Sequence, residues 1–122
     1  MAQHNDLGKK GEELALAYLQ KLGHQILELN WRIQKAEIDI ISMDSGAMVI
    51  TEVKTRRSCH FGEPEEFVGP RKMRMLVDAG CRYAESIGHD DEVRFDVIGV
   101  VIAEGTGTEV HHFKDAFFPE IG

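Results

Sequence analysis

Glu52-Val53-Lys54 sets an acid and an amine two residues apart, and on an extended backbone such side chains share a face. A second acid, Asp39, closes the upstream triplet Glu37-Ile38-Asp39. If the two stretches pair as a hairpin turning at Ser45-Gly46, Met43 opposes Met48 and Ile41 opposes Ile50. Asp39 then opposes Glu52, and Glu37 opposes Lys54. Directly opposed residues hold their Cβ atoms about 4.5–5.5 Å apart, so two carboxylates in that position repel each other. A divalent cation removes the conflict. A hard, oxygen-rich site of this kind suits Mg²⁺ or Mn²⁺, which keep several waters and accept phosphate oxygens. Asp39 and Glu52 would hold the metal, which would polarise a phosphate and acidify a bound water, while Lys54 would orient or deprotonate the attacking water. These are the parts needed for phosphodiester hydrolysis. A bare Glu-x-Lys triplet is unspecific, and the competing reading is an exposed strand end carrying a Glu37–Lys54 ion pair.

The elements that must position these groups follow from periodicity. Asp6 can cap a first helix running to about Leu22, with Gly23 as its stop. At about 100° per residue, Leu7, Gly11, Leu14, Ala15, Tyr18 and Leu22 cluster on one face with Leu19 at its margin. Glu12 lies at the edge of that face and Glu13 points away, so Glu12 is the acid able to lean inward. Strand-like stretches at 26–33, 37–43 and 47–54 follow, the last two joined by the turn Asp44-Ser45-Gly46. Residues 55–69 read as a loop with His60, Gly62 and Pro64, which could cover the site as a flap. A second helix starts near Pro70 and ends at Gly88, with Met73, Leu76, Val77, Cys81, Ala84 and Ile87 on its apolar face. Residues 93–103 form a fourth strand and 108–113 a short fifth before an irregular tail. The order α-β-β-β-α-β-(β) predicts an α/β fold with a mixed sheet and helices on both faces.

Bulk properties narrow the class. The 122 residues suffice for one domain with its own core, no apolar run is long enough to span a membrane, and the polar N-terminus lacks a secretory stretch. Cys59 and Cys81 fit neither a metal motif nor a disulfide framework, so the expected location is cytoplasmic. The net charge of −7 argues against a nonspecific duplex binder. That acidity is concentrated, however. Residues 1–83 carry 12 basic and 12 acidic side chains, whereas residues 84–122 carry 2 and 9. Arg56 and Arg57 directly follow the acidic pair and could clamp a nucleic-acid backbone. Arg71, Lys72 and Arg74 sit in the first turns of the second helix, where positive charge opposes the helix dipole; that mild cost speaks for a phosphate-contact role, and a solvated helix face competes with it on about equal terms. Trp31 could stack a base but on an apolar strand reads better as core. Adjacent His111 and His112 cannot share a strand face, which argues against a shared metal role.

Gly8-Lys-Lys-Gly11-Glu12-x-x-Ala15-x-x-Tyr18-Leu19, Asn30-Trp31-Arg32, Glu37-Ile38-Asp39, Glu52-Val53-Lys54-Thr55-Arg56 and Phe61-Gly62-x-Pro64 occur in this order. This succession resembles the YraN-like family of small bacterial proteins, over nearly the whole chain and more weakly after about residue 102. The resemblance implies a restriction-endonuclease-like fold similar to archaeal Holliday-junction resolvases and other PD-(D/E)xK nucleases. It implies that Asp39 is the metal-binding acid, that Glu52 and Lys54 form the (D/E)xK pair, and that Glu12 is the helix acid of resolvase-like members, an auxiliary ligand or proton relay. Ala36 departs from the glycine usual before Glu-Ile-Asp. The expectation is therefore a Mg²⁺- or Mn²⁺-dependent nuclease acting on branched or structured DNA, as a homodimer if it cuts two strands symmetrically. Two other classes compete with it: a nucleic-acid-binding or adaptor protein that keeps the fold without turnover, and an interaction module docking a basic partner through its acidic third.

Overall fold

A computed structural model describes residues 2–57, 68–103, 105 and 107–117. The elements run α1 (Ala2–Lys21), β1 (Gln25–Ile33), β2 (Ala36–Asp44), β3 (Ala47–Arg56), α2 (Pro70–Ser86), β4 (Val93–Ala103) and β5 (Gly107–Phe117). The strands form one sheet in the order β1-β2-β3-β4-β5. β3 and β4 pair in parallel and the other neighbours pair antiparallel, which is the mixed α/β sheet expected from the order of elements. Among the described residues no helix is long and apolar enough to cross a membrane.

The β2–β3 hairpin turns where the sequence places it. Asp44 pairs with Ala47, and both turn residues take left-handed backbone, Ser45 at φ 52° and Gly46 at φ 92°. That geometry matches the twist of the flanking strands and suits a glycine in second place. Met43 faces Met48 and Ile41 faces Ile50. Side-chain alternation then sorts two cores. Met48, Ile50, Phe95 and Val97 pack under α2 with Leu76, Ala79 and Tyr83. Val53, Ile98, Val100 and Ile40 pack under α1 with Ala15 and Leu19. β3, buried from Ala47 to Val53, serves both. Trp31 lies edge-to-face on Tyr83, with ring centroids 5.0 Å apart, so its role here is packing.

Several expectations need correction. α1 starts at Ala2, so Asp6 is an interior residue and not a cap. Its buried stripe is Gly11, Ala15 and Leu19, while Leu22 is 49% exposed. On α2 the buried residues include Ala79, Gly80 and Tyr83, whereas Cys81 and Ile87 are exposed. Both errors have one cause. Where a helix lies close on a sheet, small residues take the contact. A Cβ added to Gly80 would stand 2.9 Å from Ile50 Cγ1 and 3.0 Å from Phe95 Cε1. One added to Gly11 would overlap the Thr55 side chain. β3 runs on to Arg56, and β5 continues through Phe117 where a short strand and an irregular tail were expected. His60, Gly62 and Pro64, and with them the flap reading, lie outside the described residues.

At the turn end of the hairpin, on the α1 face, a buried polar network closes the fold. Arg94 donates from Nε to Asp96 Oδ1 and from Nη2 to Asp96 Oδ2, both at 2.9 Å, and from Nη1 to Asp44 at 3.2 Å. His112 Nε2 reaches Asp96 Oδ2 at 2.8 Å, and the Asp115 N–H reaches Oδ1 at 3.0 Å. For His112 to donate from Nε2, its Nδ1 must accept, and the Tyr18 hydroxyl stands 3.2 Å from it. His24 Nδ1 lies 2.9 Å from Ser42 Oγ and its Nε2 3.5 Å from Asp44. Burial lowers the His24 pKa against the pull of Asp44. His111 faces the other way, toward Glu109.

Candidate metal centre

The β2–β3 ladder ends at Ile40 opposite Thr51. Beyond that point the strands stop exchanging backbone hydrogen bonds, so the expected ladder pairs Asp39–Glu52 and Glu37–Lys54 do not form. Asp39 fills the gap with its side chain: the Val53 N–H donates to Asp39 Oδ2 at 2.8 Å. A carboxylate thus takes the place of a strand carbonyl as the acceptor of this N–H. Glu37 turns to the other neighbour and pairs with Arg32 on β1 at 3.4 Å. The reason is that register arithmetic continues a ladder indefinitely, whereas here an acid side chain takes over the Val53 N–H.

Glu52 shares a face with Met48 and Ile50 and is only 3% exposed. Asp39 is partly buried beside it. Its pKa is pushed up to about 8, first by burial and then by the charge of Glu52, with Glu12 adding to the rise. The Val53 N–H and Lys72 pull in the opposite direction without prevailing. Asp39 therefore feels both Glu52 and Glu12. Glu12 is half-buried and Glu13 exposed, as expected. The close contact of Gly11 on Thr55 is what brings Glu12 to this end of β3. Asn30 Nδ2 donates to Glu12 Oε1 at 3.0 Å and holds it there. Asn30 is a site residue that sequence reasoning missed. It has left-handed backbone at φ 51°, which asparagine tolerates better than most residues, and its place between two apolar strand residues was the available signal.

Lys72, read from the sequence as a phosphate contact, lies against Glu52. Its Nζ lies 2.7 Å from Glu52 Oε2, with the lysine side chain 48% exposed and the glutamate side chain 4%. Burial alone would lower the Lys72 pKa, but the bond to Glu52 and the charges of Glu52, Asp39 and Glu37 hold it above the usual lysine value. Of the three cations that open α2, Lys72 therefore turns into the acidic site, while Arg71 and Arg74 remain exposed. Lys54, half-buried, follows Glu52 on the same strand face, and Arg56 and Arg57 lie exposed just past it. A cavity of ≈ 330 Å³ opens beside Asp39, lined among others by Lys35, Glu37, Lys72, Met75 and Leu76.

Among the described residues no three acidic, histidine or cysteine side chains stand close enough to enclose an ion as they are placed. The donor set is a pair of carboxylates with Glu12 near it. That pair still fits Mg²⁺ or Mn²⁺, which are commonly held by one or two carboxylates plus waters and substrate phosphates. The geometry that supports the fit is a buried Glu52 beside an Asp39 held by the Val53 N–H. Burial and the Glu52 charge both disfavour ionised Asp39, and a divalent cation would favour it.

Comparison with known proteins places the chain among relatives of the same size. The model of a family described as "Uncharacterised protein family UPF0102" matches residues 11–100. A UPF0102 protein of Flavobacterium psychrophilum is 52% identical over 118 residues, covering 97% of this chain and 98% of that protein. Another, from Christiangramia forsetii, is 50% identical over 118 residues with the same coverage. A third, from Phocaeicola vulgatus, is 39% identical over 121 residues, covering 99% of both chains.

Proposed function

The chain belongs to the uncharacterised protein family UPF0102, and we propose that its acidic cleft is the centre of a metal-dependent DNA endonuclease of resolvase-like type, hydrolysing phosphodiester bonds in branched or structured DNA. The observation that carries this reading is the juxtaposition of Asp39 and Glu52 where β2 and β3 part, with Asp39 driven to a pKa of about 8. Two acids forced together beside a cavity are costly to the fold and useful to a hydrolase.

Asp39 and Glu52 would hold Mg²⁺ or Mn²⁺, which when bound supplies charge on the phosphate oxygens and an acidified water. The chain's own residues do the rest. The Val53 N–H fixes the Asp39 carboxylate, so one ligand is oriented before any ion arrives. Lys54, on the Glu52 face, would orient the attacking water and offset charge growing at phosphorus. Glu12, held by Asn30, would relay a proton. Arg56, Arg57, Arg71 and Arg74 are exposed around the site and would bind backbone phosphates, a role that makes affinity fall with salt. A homodimer would follow if both strands of a junction are cut.

The test is cleavage of four-way-junction, flap, single-stranded and linear DNA with Mn²⁺ by the wild type, Asp39→Asn and Lys54→Ala. Either substitution should slow cutting at least about 100-fold, the scale of losing an electrostatic contact to the transition state. Activity that survives both would reject this site. A second reading, nucleic-acid binding without turnover, is favoured by the Lys72–Glu52 contact, since an ammonium already neutralises part of the acidic pair. Junction binding with no cleavage in Mn²⁺ would select it.

A further inference from the structure

Lys72 makes the shortest ion pair described in the chain, and it makes it with a proposed metal ligand. The two ends of that pair differ in kind. Glu52 is fixed on a buried strand between Thr51 and Val53, at 3% exposure, whereas Lys72 reaches in from the first turn of α2 on a stem that is about half in water. Lysine carries a compact, strongly hydrated charge on four flexible methylenes, so it can leave such a contact for solvent without moving the helix. Glu52 has no such freedom. The Lys72 charge also acts on Asp39, which is the other acid of the pair.

Resting on the reading above, we infer that Lys72 is a built-in counter-cation occupying the Glu52 carboxylate in the unloaded protein, and that it must give up this contact when a divalent ion binds. Lys72 and the ion compete for the Glu52 carboxylate, which Lys72 meets at Oε2. Loading therefore releases an ammonium into the wall of the cavity beside Asp39, where it can meet a substrate phosphate. The sequence reading of Lys72 as a phosphate contact and the ion pair with Glu52 then describe two states of one side chain. In the unloaded state it limits the repulsion between Asp39 and Glu52; in the loaded state it serves the nucleic acid.

The experiment is Mn²⁺ binding, followed by calorimetry and by the electron-spin signal of the free ion, for the full chain and the variants Lys72→Gln, Lys72→Arg, Lys35→Gln and Asp39→Asn. Removing the competing ammonium should tighten Mn²⁺ about tenfold in Lys72→Gln. Lys72→Arg keeps the charge and should stay near the wild type. Lys35→Gln deletes a charge lining the same cavity, so a gain as large as that of Lys72→Gln would mean general electrostatics and overturn the proposal. Without Mn²⁺, Lys72→Gln should melt below the wild type, and saturating Mn²⁺ should raise its melting point by more than it raises that of the wild type. Unchanged or weaker binding in Lys72→Gln, with wild-type binding that Asp39→Asn abolishes, would overturn the counter-cation role and leave the metal centre standing. No Mn²⁺ binding by the wild type or Lys72→Gln would overturn both.

Discussion

Two buried aspartates in this sheet meet opposite fates. Asp96, on β4, is fully buried, and burial by itself would raise its pKa; yet bonds from His112, Arg94 and the Asp115 N–H hold it below the usual carboxylate value. Asp39, on β2, is pushed up to about 8, first by burial and then by the charges of Glu52 and Glu12, with one backbone N–H and Lys72 too little to offset them. Burial acts on both acids in the same direction. The donors set against it differ. At the turn end, four hydrogen bonds converge on one carboxylate. At the open end, three carboxylates share an asparagine, a lysine and a strand N–H. The first arrangement stabilises the fold, and the second leaves charge to be met from outside.

The contrast breaks most visibly at Asp96. Asp96→Ala leaves His112 buried without its acceptor and Arg94 with Asp44 alone, and should cost about 3–5 kcal/mol in urea unfolding. Because the folded pKa of Asp96 is lowered, its contribution is present above about pH 4, the unfolded value, and is lost as pH falls through the folded one. The wild type should lose stability in acid, and the variant should lack that part of the loss.

Asp39→Asn should act with the opposite sign. A raised folded pKa means that stability is full below the unfolded value of 3.8 and falls as pH rises toward about 8. Asparagine keeps an acceptor for the Val53 N–H and drops the charge. The variant should match the wild type near pH 4 and exceed it above pH 8, where water reaching part of the carboxyl screens the gain to about 1–3 kcal/mol. Equal stability of the two proteins at pH 9 would count against the crowding of charge at this end. Tyr18→Phe gives the smallest effect. It removes one partner of His112 and should cost about 0.5–1.5 kcal/mol, read from the shift in the urea midpoint.

The same two regions explain what was legible in the sequence. The hairpin register could be read because Ser45-Gly46 fixes the turn and alternation fixes the faces, and with it came the neighbourhood of Asp39 and Glu52. Glu12 could be read from helical phase. The end of the ladder at Asp39 could not, because pairing arithmetic carries no information about where a side chain takes over a strand N–H. Lys72 could not be placed either, since a flexible side chain near a helix start is compatible with solvent, phosphate or an acid. The helix faces were misjudged for a related reason: periodicity weights large apolar residues, while Gly11 and Gly80 mark the closest approach. The network around Asp96 depends on His112 and Asp115, far along the chain from Tyr18 and His24, and local patterns do not announce such partners.

The bond between Tyr18 and His112 joins residues 94 positions apart. While the chain is being synthesised, the first helix and the β2–β3 hairpin emerge long before the last strand. Until residues 112–115 leave the ribosome, the Asp96 carboxylate lacks two of its donors and the edge of β4 stays uncovered. Contacts of such sequence separation are slow to form, because the loop must close before they repay it. The nascent protein should thus stay loosely closed and open to proteases until β5 arrives, then tighten in one late step. A stalled-chain series probed by limited proteolysis would show protection appearing only once β5 has cleared the tunnel.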